Sequence, residues 1–189
     1  MSFIKDYIKQ SIDTLDKLNE SDIKNAIDII KEAKETKNTV YICGNGGSAG
    51  TAIHMAADLF GMSGMKSISF CDNVPLMTAI INDYGWDKLY SNQLERFHNK
   101  GDVLVVISVH GGKGEDEAGV WSQNLIRAIK YVQENGGKVI GLSGFDGGLF
   151  KELCDVCIVI PANSTPIVES LHVVVSHLIA FSLQHGNRK

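Results

Sequence analysis

The chain alternates short apolar runs with longer amphipathic segments, and this alternation restricts its fold more than any other feature. The apolar runs have the length of buried strands and lie at 39–43, 67–71, 103–108, 138–142 and 157–161. Helical patterns separate them, near 49–60, 75–82, 87–97, 122–134, 148–153 and 166–184. Fully apolar strands that alternate with helices indicate a parallel sheet covered on both faces. The sequence therefore predicts an α/β fold in which a central parallel sheet of five strands lies between two helical layers.

The first 37 residues have the apolar spacing of two further helices, separated by a break at Asn19–Ser21. Their apolar stripes are Phe3, Ile4, Tyr7, Ile8, Ile12, Leu15 and Leu18, then Ile23, Ala26, Ile27, Ile30 and Ala33. We expect an N-terminal helical hairpin that packs on the core or on a neighbouring subunit.

Size and charge exclude several classes of protein. With 189 residues, the chain has the size of one domain with a sizeable core, which we place at 1–189. Its net charge of −4 gives no basic surface for nucleic acid. The N-terminus lacks the apolar segment of a signal peptide, and no run approaches the ~18 apolar residues of a membrane span. We therefore expect a cytoplasmic protein without a nucleic-acid or membrane partner.

The four cysteines are Cys43, Cys71, Cys154 and Cys157. The last two form a C-x-x-C pair, but Cys157 begins an apolar run and no second close pair completes a four-cysteine zinc site. We interpret all four as buried structural thiols, with redox or metal chemistry as the alternative.

Three loops rich in Gly or Ser follow strands, at Gly44–Ser48, Ser108–Gly112 and Gly144–Gly148. Ligands of open α/β sheets bind beyond the carboxyl ends of the strands. The first loop, Gly44-Asn45-Gly46-Gly47-Ser48, opens directly into a helical pattern. Its glycines permit close backbone approach, and the helix adds N-terminal amides that favour an anion. The loop matches neither the Walker A nor the dinucleotide fingerprint, so we predict a phosphate or oxyanion site.

Histidines and carboxylates interrupt two of the apolar helices. His54 and Asp58 are four residues apart and share a helix face. Glu169 and His177 interrupt the last helix and lie about 80° apart around its axis. A buried ionised Glu requires a partner. Two histidines with two carboxylates suit a borderline divalent ion such as zinc, so these four residues form the predicted metal site.

Other polar residues near the loops are further candidates for the site. Ser108 and His110 alternate with Val109 and can share a face with the rim of the sheet. Ser122 precedes an apolar helical pattern, where it can cap the helix, bind phosphate, or do both. Asn82 and Asp83 belong to a segment, 82–85, that is typical of a turn.

Taken together, these residues resemble the sugar isomerase (SIS) domain family, and within it the phosphoheptose isomerases. The matching motifs run in family order over nearly the whole chain. They are GNGGSA, the helix histidine, TAIINDYG, GDVLVVIS, the Gly-rich segment Gly141–Gly148 and the pattern TPxxExxHxxxxH near the end.

The resemblance implies a flavodoxin-like SIS domain that forms a homotetramer, with 1–37 in oligomer packing and active sites at subunit interfaces. It implies conversion of sedoheptulose 7-phosphate to D-glycero-manno-heptose 7-phosphate through an enediol, in nucleotide-activated heptose biosynthesis. By motif match, the residues that meet the sugar phosphate are Asn45, Gly46, Gly47, Ser48, Asn82, Asp83, Ser108, His110 and Ser122. The implied metal ligands are His54, Asp58, Glu169 and His177, with Zn²⁺ as the cofactor.

The chain departs from the family pattern at the site itself. The family usually has Glu where Asp58 stands and Gln where Glu169 stands, so the longer carboxylate has changed helices. About nine extra residues precede Ser122, including the acidic run 115–117. Because Glu reaches one methylene further than Asp, we assign Glu169 as the base, Asp58 as the alternative base, and His177 as the acid partner.

Two other functions stay open on the sequence. One is isomerisation of a different phosphosugar, since the segment between Ser108 and Ser122 is altered. The other is a non-catalytic SIS protein that senses a sugar phosphate or assists assembly. Members of that kind usually lose the acid/base and metal residues, which this chain retains.

Overall fold

Parallel strands form where the apolar runs predict them. The computed structural model describes residues 2–112 and 122–185. The strands are β1 (Val40–Gly44), β2 (Ser67–Ser69), β3 (Val103–Ile107), β4 (Lys138–Gly144) and β5 (Val156–Ile160). They form one sheet in the order β2-β1-β3-β4-β5, and every neighbouring pair is parallel. This is the strand order of flavodoxin-like folds, so the predicted fold class is confirmed.

Helices cover both faces of the sheet and join its strands. They are α1 (Phe3–Leu15), α2 (Glu20–Glu35), α3 (Gly47–Ser63), α4 (Val74–Tyr84), α5 (Ser91–Phe97), α6 (Gln123–Glu134), α7 (Phe150–Leu153) and α8 (Thr165–His185), with a 3-10 turn at Trp86–Lys88. The single helix predicted near 87–97 is therefore two short elements. The turn predicted at 82–85 is also wrong, because Asn82 and Asp83 lie in the last turn of α4, which ends at Gly85 with φ 87°.

The two N-terminal helices pack differently. Asn19 caps α2 by accepting hydrogen bonds from the amides of Ser21 and Asp22, which confirms the predicted break. The apolar stripe of α2 is buried in the core. The stripe of α1 is not, because Phe3, Ile4, Ile8 and Ile12 are all more than half exposed.

Helix α8 packs on α3, α2 and the sheet. Within the described residues it alone has the length and apolarity of a membrane span, which corrects the expectation that no segment would. Half of that span is buried inside the protein, and the core helix of a soluble protein passes the same test. Its buried residues, among them Val168, Leu171, Val175 and Ile179, identify it as a core helix.

The order of the strands positions the candidate site. The chain runs from β1 outward to β2 and then returns to β3 on the other side of β1. Ligands of such sheets bind in the crevice where the strand order reverses, beyond the carboxyl ends of the strands. Here that crevice lies between Gly44–Ser48, which follows β1, and Ser108–Gly112, which follows β3.

Candidate active site

The loop after β1 has the backbone of an anion cradle. Gly46 has φ 58° and ψ −124°, a conformation that L side chains rarely adopt. A Cβ on Gly44 would lie 2.8 Å from Ser48, so the turn closes on itself too tightly for a side chain. Helix α3 begins at Gly47, and its first amides and dipole favour an anion at this end.

Helices α3 and α8 bring three of the four predicted metal ligands together. The Nε2 atoms of His54 and His177 are 2.9 Å apart. They lie 3.2 Å and 3.3 Å from Oδ2 of Asp58. The three donor atoms thus form a nearly equilateral triangle. The side chain of Asp58 is 13% exposed, whereas those of His54 and His177 are 54% and 42% exposed.

This triangle fits a metal ion. A tetrahedral zinc ion with bonds of about 2.0–2.1 Å holds its donors about 3.3 Å apart, close to the observed separations. Oδ2 of Asp58 is buried and has no hydrogen-bond partner among the described residues, although it faces two imidazoles. A cation at the centre of the triangle would satisfy all three donors, which are the nitrogen and oxygen ligands that zinc accepts.

Glu169, the fourth predicted ligand, lies outside this cluster. Its Oε1 would be 2.7 Å from a Cβ built on Gly47, so its carboxylate sits against the first residue of α3. A side chain at Gly47 would displace it. Glu169 is half-buried, and no hydrogen bond or ion pair engages its carboxylate within residues 2–112 and 122–185.

The remaining histidine of α8 belongs to the core. His172 is 1% exposed, and its Nε2 donates to the carbonyl of Ser143 at 3.1 Å. Burial lowers the pKa of His172 to about 4, so the imidazole is neutral near pH 7. Its Nδ1 has no partner in the described part of the chain.

The other predicted site residues occupy three separate places. Ser108 follows β3, and its Oγ accepts a hydrogen bond of 3.4 Å from the amide of Gly112. His110 is exposed, with its ring 4.4 Å from that of Phe145. Asn82 and Asp83 are exposed at the end of α4 and hydrogen-bond each other at 2.8 Å. None of these contacts joins them to the metal cluster.

Ser122 stands at the N-cap position of α6, but its side chain makes no capping hydrogen bond. The hydroxyl is therefore not used in the way that the capping interpretation requires, and its phosphate role stays a prediction. The extra loop expected before it, at 112–121, lies outside the described part of the chain from residue 113 on, and this includes the acidic run.

Comparisons with known proteins identify the family of the chain. The SIS domain family profile matches residues 5–144. A phosphoheptose isomerase of Aliarcobacter butzleri is 37% identical over 177 residues, which cover 91% of this chain and 87% of that protein. A phosphoheptose isomerase of Helicobacter pylori is 33% identical and covers 93% of this chain and 87% of its own. The chain belongs to the phosphoheptose isomerase family of SIS domains.

Solved structures of the same family share the fold of this chain. The solved structure of the phosphoheptose isomerase GmhA from Neisseria gonorrhoeae superposes with a TM-score of 0.86 at 28% identity. The match covers 96% of this chain and 97% of the other. Both sheet and flanking helices are therefore those of a phosphoheptose isomerase.

Two side chains that were not predicted from the sequence support the Gly44–Ser48 cradle. Asn124, in the first turn of α6, is fully buried and hydrogen-bonds Asn45. The hydroxyl of Tyr90 donates to the carbonyl of Gly44 and lies 3.3 Å from Oδ1 of Asn45. The sequence feature that could have indicated Asn124 is its position as a lone side-chain amide next to the apolar residues Leu125 and Ile126.

All four cysteines are free thiols. Cys43 and Cys71 are buried, as predicted, but Cys154 and Cys157 are only half-buried, which corrects the expectation for that pair. Burial raises the pKa of Cys43, Cys154 and Cys157, which keeps these sulfurs protonated and unreactive. This agrees with structural thiols and disfavours the redox alternative.

Proposed function

We propose that the chain is an aldose–ketose isomerase that converts sedoheptulose 7-phosphate to D-glycero-manno-heptose 7-phosphate, in nucleotide-activated heptose biosynthesis. One observation carries the proposal. Helix α3 begins at an anion cradle and, two to three turns later, contributes His54 and Asp58 to a donor triangle that fits a metal ion. A phosphosugar bound by its phosphate at the cradle would extend its reacting end along this helix.

The cradle and its neighbouring loops would hold the substrate. We assign the phosphate to the amides of Gly46, Gly47 and Ser48, together with the hydroxyls of Ser108 and Ser122. Supporting this assignment, the Ser122 side chain makes no cap. The sugar hydroxyls are assigned to Asn82, Asp83 and His110, whose polar groups are exposed.

Proton transfer is assigned to Glu169. The reaction moves a proton from C1 of the ketose to C2 of the aldose through an enediol, so one base positioned over both carbons suffices. The Glu169 carboxylate lies against Gly47 with no hydrogen-bond or ion-pair partner among the described residues, whereas Asp58 is enclosed by two imidazoles. Glu169 is thus the more available base, and Asp58 remains the alternative.

We further propose that the cluster binds Zn²⁺ through His54, Asp58 and His177. Glu169 would have to leave Gly47 to become a fourth ligand. Bound there, the ion supplies a positive charge that stabilises the enediol oxygen. His177 has one nitrogen in the cluster, so it either binds the metal or carries the acid proton, and the two roles exclude each other at one time.

The surroundings of the cluster support a homo-oligomer with 1–189 as one SIS domain. His54 and His177 are flanked on the outer faces of α3 and α8 by the exposed apolar residues Ile53, Val174 and Leu178. Helix α1 adds its own exposed stripe. A tetramer that covers these faces, with 1–37 in the packing, would also shield the active site. Four free thiols suit the reducing cytoplasm.

The decisive experiment is an NMR assay of the purified protein with sedoheptulose 7-phosphate in D₂O, with and without added zinc. We expect new aldose anomeric signals and deuterium at C2, dependent on metal. A folded protein that produces neither signal under either condition would contradict the proposal. Repeating the assay with pentose and hexose phosphates then separates another isomerase from a non-catalytic sugar-phosphate sensor.

The assignment of the base is tested by Glu169→Gln, which restores the usual family residue and removes the ionisable group. We expect turnover to be lost while the folded state and zinc binding persist. Full retained activity would refute Glu169, and loss of activity in Asp58→Asn with retained zinc would then favour Asp58.

A further inference from the structure

The side chains of Asn45 and Asn124 form a reciprocal amide pair across the crevice. Nδ2 of Asn45 donates to Oδ1 of Asn124 at 3.1 Å, and Nδ2 of Asn124 donates to Oδ1 of Asn45 at 2.9 Å. The two residues are 79 positions apart. The pair therefore joins the loop after β1 to the first turn of α6, the two elements to which the proposed function assigns the substrate phosphate.

Further hydrogen bonds fix both members of the pair. Oδ1 of Asn124 also accepts from the amide of Leu125 at 2.9 Å, which sets its orientation within α6. Oδ1 of Asn45 lies 3.3 Å from the hydroxyl of Tyr90, which in turn donates to the carbonyl of Gly44. Asn124 is fully buried and Asn45 is half-buried, so the Asn124 end of the pair is shielded from solvent.

This network changes the role expected of Asn45. Its amide oxygen faces two donors and one of its N–H bonds is used, so its side chain is engaged by the protein before a substrate arrives. What it contributes is the shape of the cradle: it holds the backbone from Gly44 onward in the conformation that exposes the following amides.

We propose that Asn124 is a positioning residue for phosphate binding: through Asn45 it holds the Gly44–Ser48 cradle in register with Ser122 at the start of α6. The proposal rests on the function proposed above, because it assumes that the cradle takes the substrate phosphate. Asn124 itself touches no reacting atom.

The direct test is Asn124→Ala in the full-length protein. With the donor and acceptor lost, the cradle is no longer tied to α6, and phosphate binding weakens in substrate and transition state alike. We expect KM for sedoheptulose 7-phosphate to rise about tenfold with kcat little changed. The dissociation constant for inorganic phosphate should rise by a similar factor, whereas zinc affinity stays as in the wild type.

The matched control is Asn135→Asp, set against Asn124→Asp. Both make the same chemical change at opposite ends of α6, but the side chain of Asn135 is exposed and donates to a backbone carbonyl of its own helix, that of Tyr131. We expect Asn135→Asp to leave KM and phosphate affinity unchanged. Asn124→Asp at pH 8 should raise both KM and the dissociation constant for phosphate by more than tenfold, since an ionised carboxylate cannot donate to Oδ1 of Asn45.

The pH profile of Asn124→Asp separates positioning from a general loss of structure. A protonated carboxyl has one donor and one acceptor, as the replaced amide does toward Asn45, and burial disfavours its ionised form. The titratable groups facing the pair are Tyr90 and, beyond it, Cys43 and Cys71. Burial raises the pKa of Tyr90 and Cys43, so they stay neutral from pH 8 to 5.5. Arg127, on α6, is paired with Asp87.

The quantity to follow is the variant's phosphate dissociation constant divided by that of the wild type, because the wild type corrects for titration of the ligand. We expect the ratio for Asn124→Asp to fall as the pH falls, below the pH-independent ratio for Asn124→Ala. If the Asp variant only comes level with the Ala variant, a protonated carboxyl does not restore phosphate binding, and the hydrogen bond from residue 124 to Asn45 is not what positions the cradle.

The two proposals fail differently. If the wild type binds inorganic phosphate but turns over no sugar phosphate, the isomerase assignment fails, and the affinity ratios still test Asn124. If the wild type isomerises its substrate and folded Asn124→Ala has unchanged KM and phosphate affinity, the positioning role is refuted and the isomerase assignment stands.

Discussion

At the scale of single residues, the absence of a side chain at Gly47 determines where the Glu169 carboxylate lies. Gly47→Ala would place a methyl group 2.7 Å from Oε1 of Glu169, and the carboxylate must move. Displacement of a base by about 1 Å costs on the order of 100-fold in rate, so we expect that loss in kcat with an intact fold. Steady-state kinetics measure kcat, and circular dichroism checks that the fold is intact.

A matched glycine on the same helix provides the control. A Cβ on Gly50 meets nothing within 4 Å, so Gly50→Ala should retain full activity and slightly raise the melting temperature, because Ala favours a helix over Gly. Equal loss of activity in both variants would mean that α3 tolerates no change in this region, and that Gly47 makes no special room for Glu169.

The buried imidazole of His172 makes the folded state sensitive to acid. Its pKa is lowered from 6.5 to about 4, so between these values the unfolded chain binds more protons than the folded one. The contribution is fully present above pH 6.5 and is lost as the pH falls, by about 1.4 kcal/mol per pH unit. With EDTA present, His172→Gln should lose about 2 kcal/mol less than the wild type between pH 6.5 and 5.

Urea denaturation at both pH values measures this difference. Exposed His185 supplies the comparison, since His185→Gln should keep the acid sensitivity of the wild type. An unchanged pH dependence in His172→Gln would show that other groups cause the acid sensitivity.

At the scale of elements, Asp102 aligns the starts of β1 and β3, the strands that lead to the crevice. It is 2% exposed; Oδ1 accepts from the amide of Thr39 at 2.8 Å, and Oδ2 accepts from the amide of Asn99 at 2.7 Å. Asp102→Ala leaves both amides unpaired and should lower the free energy of unfolding by about 3 kcal/mol. Asp102→Asn keeps one acceptor and should lose about half as much.

Urea unfolding curves with an unchanged slope would assign these losses to stability. Identical losses in Asp102→Ala and Asp102→Asn would mean that the negative charge, and not the pair of acceptors, aligns the strands.

The elements that the sequence predicted are those whose periodicity reflects burial. β1 and β3 are buried along their whole length, and the apolar runs located them to within a residue or two. One helix was predicted near 87–97, but the chain forms a 3-10 turn and a short helix there. Between them, residues 89 and 90 are buried in the core. The last turn of α4 was missed because Asn82 and Asp83 are exposed and have the composition of a turn.

The site was predictable where one helix carries two functional residues. The i, i+4 spacing of His54 and Asp58 is visible in the sequence, and the position of His177 follows from the helix period. The contact of Glu169 with Gly47 and the pairing of Asn45 with Asn124 depend on how separate elements pack. No local pattern contains that information, and only a family pattern could suggest it.

At the scale of the whole molecule, exposed apolar side chains form two stripes, one on α1 and one on α8. Ile4, Ile8 and Ile12 form a stripe along α1, and Val174, Leu178 and Phe181 form one along α8. Scattered exposed apolar residues are ordinary, but stripes at helical spacing indicate an interface. The donor triangle lies between α3 and α8, with His54 and His177 each about half exposed, so we expect oligomer assembly and activity to be linked.

Ile8→Glu tests this link away from the site. Ile8 is 54% exposed on α1, a helix that carries none of the residues assigned to catalysis. A charge buried in an interface costs several kcal/mol, so we expect the variant to elute as a smaller species, with reduced isomerase activity and an unchanged circular dichroism spectrum. Light scattering gives the mass. Gln10→Glu adds the same charge to an exposed position of the same helix and should keep both the wild-type mass and activity. If Ile8→Glu retains the wild-type mass, the stripe of α1 is not an interface, and the exposed cluster must be shielded through α3 and α8 alone.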